Sequence, residues 1–147
     1  MSGADHPKAK GERSEAAVMH AFLRHDLPVL RPFGDNERYD LVVDLSDTFY
    51  RVQVKTGRLE GGRVQFETRS SGTHTRAIRK EGYEGQVDVF AVYAPDLDET
   101  YVVPIAEAPE TAMALRVTPP EKSSPNINWA SNFRLGPWVA SVRGPPS

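Results

Sequence analysis

Asp40, in the run YDLVVDL at 39–45, and Gln53 and Lys55, in FYRVQVKT at 49–56, are of the residue types that hold a divalent cation beside a phosphate. Side chains alternate between the two faces of a strand. Leu41, Val43 and Leu45 therefore share one face, with Asp40, Val42 and Asp44 on the other. Tyr50, Val52 and Val54 likewise leave Arg51, Gln53 and Lys55 together. The turn-prone Ser46-Asp47 between the runs predicts a hairpin, which brings Asp40 near Gln53 and Lys55. A carboxylate, a neutral oxygen donor and an ammonium suit Mg²⁺, a hard cation usually held by one or two carboxylates plus substrate phosphate. In this arrangement Asp40 supplies the anion, and the Gln53 amide oxygen and the Val54 main-chain carbonyl are further ligands. Lys55 orients or helps to activate the attacking water and neutralises charge developing on the phosphate.

Glu15 is the fourth candidate. Residues 14–24 (SEAAVMHAFLR) predict a short amphipathic helix, ended by Leu27-Pro28. Glu15 precedes Val18, Met19 and Phe22 by three, four and seven positions, so it shares their inward stripe. A carboxylate there is costly unless something positive compensates it. A metal at Asp40 provides that compensation, and Glu15 restores the negative charge missing at Gln53. The same spacings also suit an exposed, salt-bridged strand edge, and Glu15 also suits a helix-start acid interacting with the helix dipole.

The elements that must position these residues form one α/β domain whose mixed sheet is covered by the first helix. A Gly61-Gly62 turn leads into a strand at 63–68, followed by an apolar and hence central strand at 87–94 and another at 101–105. Residues 1–110 read as the core, with 1–10 as a loose arm, and 111–147 as an irregular extension packing on it through Trp129, Phe133, Leu135 and Trp138. These aromatics also suit base stacking or assembly. The chain of 147 residues has no cysteine and four scattered histidines, which excludes disulfides and thiolate zinc sites. No run of about 18 apolar residues is present and the N-terminus is polar, so a soluble, cytoplasmic protein without membrane partners is expected. The net charge of -2 hides an uneven distribution: eight Lys or Arg against two acids give 51–80 a charge of +6, while 81–115 hold eight acids and no Lys or Arg. Such blocks suit a two-sided molecule with one face toward a polyanion, or simply two solvated faces.

The residues Gly11-Glu12-Arg13-Ser14-Glu15, the run PFGDNERYDL at 32–41, Val52-Gln53-Val54-Lys55-Thr56-Gly57, YEGQVDVF at 83–90 and YVVPI at 101–105 together resemble the PD-(D/E)xK nucleases, and within them the small endonucleases associated with group I introns. The N-terminal part is also similar to archaeal Holliday-junction resolvases. The resemblance implies a restriction-endonuclease-like mixed β-sheet core flanked by helices, Mg²⁺- or Mn²⁺-dependent hydrolysis of DNA phosphodiesters, and a homo-oligomer, dimer or tetramer. It gives Asp40 as the metal-binding aspartate, Lys55 as the motif lysine and Glu15 as the helix glutamate. Gln53 departs from the Asp or Glu of the family name, although intron-type members tolerate glutamine there. Double-stranded DNA is then the expected partner, contacted at its phosphates by Arg13, Arg58, Arg69, Ser70, Arg76, Arg79 and Lys80. Three activities follow as expectations: an intron-associated, homing-type endonuclease, a resolvase acting on branched DNA, and a DNA-binding module that has lost catalysis through Gln53.

Overall fold

The computed structural model describes residues 7–34, 37–69, 85–122 and 124–143. Helix α1 spans Pro7–Arg24. It begins seven residues before the predicted start at Ser14, so much of the expected loose arm is helical. Proline suits a first helical position because no N–H is needed there, and the lysines, alanine and Glu12 that follow favour a helix enough to absorb the ~1 kcal/mol that Gly11 costs. Ser14, Val18 and Phe22, each four residues apart, are fully buried. A Schellman arrangement closes α1: Asp26 N–H donates to Leu23 O and Leu27 N–H to Phe22 O, with Asp26 left-handed at φ 59°. Leu27 and Phe22, both buried, make the accompanying apolar contact.

Strands β1 (Val29–Leu30), β2 (Leu41–Asp44), β3 (Phe49–Thr56), β6 (Val89–Ala94) and β7 (Glu99–Pro104) form a five-stranded sheet in the order β1-β2-β3-β6-β7. β3 and β6 are parallel and the other neighbours antiparallel, so the sheet is mixed, as expected. β6 is buried almost throughout because it lies between β3 and β7 with both faces covered. The hairpin is present in the register Leu41↔Val52 to Asp44↔Phe49.

A second sheet, β4 (Arg58–Glu60), β5 (Arg63–Glu67) and β8 (Ala112–Arg116), has the order β4-β5-β8. Gly61 and Gly62, at φ 60° and 77°, form the two-residue turn between β4 and β5, where both central residues need positive φ. The chain enters this sheet from β3 through Gly57. A Cβ at Gly57 would lie 2.5 Å from Val64 Cγ1 and 3.0 Å from Val92 Cγ1. Only glycine lets the sheets approach so closely at this crossing.

The two faces of the large sheet carry two cores. Leu41, Val43, Val52, Val89 and Val102 pack under α1 and under helix α2 (Leu135–Arg143), while Phe90, Val92 and Val103 pack against Val64, Phe66, Met113 and Leu115 of the small sheet. The C-terminal stretch, expected to be irregular, thus supplies a strand and a helix to these layers as well as loops. Phe133 is buried, Trp138 packs edge-on to Tyr50 at 5.3 Å, and Trp129 is partly exposed. The acidic and basic blocks are not cleanly separated: Arg51 grips Asp88 with contacts of 3.1 and 3.2 Å.

Candidate active site

β2 and β3 pair regularly only from Leu41 onward. One residue earlier, Asp40 binds β3 twice. Its N–H donates to Val52 O at 2.8 Å, and its Oδ2 accepts the Val54 N–H at 2.8 Å. The peptide units on either side of Gln53 are thus held from one residue. Burial pushes the Asp40 carboxyl above its ordinary value, against the opposing pull of the Val54 hydrogen bond and of the Lys55 and Arg31 charges.

Glu15 approaches from α1. The deeply buried stripe runs through Ser14, Val18 and Phe22, which leaves Glu15 and Met19 half-buried at its margin. Ser14 fixes this rotation of the helix, because its hydroxyl shares a 2.6 Å hydrogen bond with that of Thr56 at the end of β3. Glu15 Oε1 accepts from Arg31 Nη2 at 3.2 Å. Burial first, and then the Asp40 charge, raise the Glu15 pKa; Arg31 lowers it and Glu12 adds a smaller rise. Two carboxyl groups therefore sense one another where α1 meets the start of β2.

Lys55 and Gln53 lie on the opposite face of the sheet from α1, since their β6 partners, Val92 and Phe90, belong to the core shared with the small sheet. Lys55 Nζ sits 5.6 Å from the centre of the Phe90 ring and donates to Arg69 O at 3.3 Å. Its charge still acts on Asp40. The Gln53 side chain is half-buried and makes no hydrogen bond among the described residues, so its amide oxygen is uncommitted. Asp40 is thus coupled to Glu15 on one side and to Lys55 on the other, and no hydrogen bond among the described residues joins the Gln53 side chain to either acid.

Among the described residues, no group of three or more His, Asp or Glu gathers to hold an ion. Asp40 and Glu15 are nevertheless two partly desolvated carboxyls, and the Asp40 charge adds to the proton affinity of Glu15. By residue type these two carboxyls, and the uncommitted amide oxygen of Gln53 across the sheet from α1, suit Mg²⁺, which keeps several waters and needs only one or two carboxylates. The donors fit such an ion.

Of the residues expected at DNA phosphates, Arg13, Arg58 and Arg69 are exposed. Arg58 and Arg69 make only loose contacts of 3.7 Å with Glu60 and Glu67, of the exposed kind that contributes little. Ser70, Arg76, Arg79 and Lys80 lie outside the described residues. Sequence reasoning missed Arg31, which balances both acids, and the Ser14–Thr56 tie. Arg31 carries no local signal, and Ser14 betrays itself only by falling four and eight positions before Val18 and Phe22.

A model of the PD-(D/E)XK endonuclease family matches residues 5–136. The fold is similar to that of a bacterial homing endonuclease, I-Ssp6803I, with a TM-score of 0.67 and 24% identity over 91% of this chain and 90% of the other. No curated protein sequence matches. No helix among the described residues is long and apolar enough to cross a membrane.

Proposed function

From the premise that the chain belongs to the PD-(D/E)XK endonuclease family, we propose that it hydrolyses phosphodiester bonds in double-stranded DNA with Mg²⁺ or Mn²⁺, as an intron-associated, homing-type enzyme acting as a homo-oligomer in the cytoplasm. The observation that carries the reading is the double attachment of Asp40 to β3, which fixes one carboxylate between Glu15 and the charge of Lys55.

Asp40, Glu15, the Gln53 amide oxygen and the Val54 carbonyl would hold the ion, which when bound supplies Lewis-acid polarisation of the phosphate and a more acidic water. The protein's own groups do the positioning. Val54 N–H orients the Asp40 carboxylate, and Arg31 holds Glu15. Lys55, supported by the Phe90 ring and the Arg69 carbonyl, places an ammonium where charge grows on the phosphate oxygens. Exposed Arg13, Arg58 and Arg69 serve as phosphate contacts, and Ser70, Arg76, Arg79 and Lys80 continue the set by sequence.

Plasmid incubated with Mg²⁺ and the wild-type protein, Asp40→Ala or Lys55→Ala tests the proposal. Nicking by the wild type alone is expected, and equal nicking by all three proteins removes it. The glutamine at position 53 favours one second reading, a DNA-binding module without turnover. DNA binding of equal strength with and without Mg²⁺, and no cutting, is its expected result. Four-way junctions compared with linear duplex of the same sequence separate a branched-DNA enzyme from one acting on plain duplex.

A further inference from the structure

The outer face of the small sheet carries a basic cleft that the preceding site does not use. Val64, Phe66, Met113 and Leu115 point inward, so the alternate residues of β5 and β8 face out. Arg63 and Arg116 are direct cross-strand partners on that outer face. Like charges placed directly opposite one another are unfavourable. Here the loop following β8 brings a third cation, Lys122, to the same cleft, which has a volume of about 400 Å³ and no Asp or Glu in its lining.

None of these three cations has a carboxylate partner among the described residues, whereas Arg58 and Arg69 each have one. Arg116 is fixed by a 3.1 Å hydrogen bond from Nη1 to Gly61 O. Its Nε is buried without a hydrogen-bond partner among the described residues, and a buried donor left unmade is unfavourable. The small side chain of Ala114 leaves the floor open, and Asn126 adds an amide at the wall. Three cations and neutral amides around open space match a phosphodiester, which offers several acceptor oxygens and one negative charge.

We propose that this cleft holds a backbone phosphate of the DNA duplex at a position flanking the bond to be cut, anchored by Arg63, Arg116 and Lys122. The proposal rests on the nuclease reading above, because it takes the polyanion to be that enzyme's own DNA. Each phosphate neutralised by a protein releases counterions, so log Kd depends on log salt with a slope of about 0.9 per contact on duplex DNA.

The test is fluorescence anisotropy of a labelled duplex with the full chain, with divalent metal chelated, across a range of salt. Arg63→Ala/Lys122→Ala leaves the Gly61 anchor of Arg116 intact and alters only exposed side chains. Weakening of about tenfold at moderate salt and a slope lower by roughly 1 to 2 are expected, with Arg63→Glu/Lys122→Glu weaker still and Arg63→Lys close to wild type. Arg24→Ala, an exposed charge on α1, should leave the slope unchanged. The single-turnover cutting rate at saturating protein should also survive in the alanine pair. Unchanged affinity and slope in the pair, with a wild type that binds and cuts, overturn the cleft proposal and leave the nuclease reading standing. A wild type that neither binds nor cuts duplex overturns both.

Discussion

The Asp40 carboxylate accepts the Val54 amide hydrogen at 2.8 Å, so the strand that carries Lys55 also aims the acid proposed as its partner. Asp40→Asn retains an oxygen for that hydrogen bond but loses the charge. Single-turnover nicking should fall by roughly 10³-fold, the equivalent of several kcal/mol of lost transition-state stabilisation, with little change in far-ultraviolet circular dichroism. Retention of more than a tenth of the wild-type rate would show that Asp40 is not the metal-binding acid.

Both candidate acids have proton affinities raised on folding, mainly by burial. A carboxyl of this kind binds its proton more tightly in the native state than in the unfolded one. Its contribution to stability therefore falls as pH rises from the ordinary carboxylate value through the folded value, and stays lower above it. Asp88 acts in the opposite sense: burial opposes it, but Arg51 holds it below the usual range, so its contribution is lost as pH falls. The comparison of wild type with Glu15→Gln isolates the effect. Without metal, the variant should gain stability relative to wild type as pH rises through that window, read as a rising difference in Tm between the two proteins. Mg²⁺ should raise the Tm of the wild type more than that of the variant. Equal Tm values throughout would contradict the coupling.

Arg31 lowers the proton affinity of both acids. Arg31→Ala should move the acid limb of the pH–rate profile for cleavage upward, while the rate on the high-pH plateau changes much less. A uniform loss of rate with no displacement of the limb would instead mark Arg31 as a phosphate contact.

Ser14→Ala leaves the Thr56 hydroxyl without its 2.6 Å partner next to a buried helix stripe. A loss of about 1–2 kcal/mol is expected in urea denaturation. A double-mutant cycle with Thr56→Val should recover about 1 kcal/mol of it as coupling. Additive losses would show that the two hydroxyls do not support one another.

Gly57→Ala forces a methyl group to within 2.5 Å of Val64 Cγ1. Destabilisation of about 1–3 kcal/mol is expected from overpacking, and the penalty should shrink in a Val64→Ala background. The same penalty in both backgrounds would place the strain elsewhere.

β3 was readable to its ends because its alternation is uninterrupted, and the hairpin with it. β8 was not: alanines fall on its outer positions, and alanine favours helix, which masks the alternation of Met113 and Leu115. α2 was hidden by Gly136-Pro137, residues that read as a loop although proline is tolerated in a first helical turn. At the candidate site, period-two spacing was enough to put Gln53 and Lys55 on one face of β3, where the register has them. The exact rotation of α1 was not legible, because a buried serine makes sense only once Thr56, 42 residues away, is known to meet it. The balance of charge around Glu15 likewise depends on Arg31, which reaches it from an extended segment without periodicity.

Gly57 lets the two sheets meet at close range where the chain crosses between them. Lys55, two residues upstream, and the β4–β5 turn that anchors Arg116 consequently lie on either side of one tight crossing. On the proposed function, a single duplex reaching both ends of that crossing would meet them more readily where it bends, so the deformability of the target would bear on where it is cut.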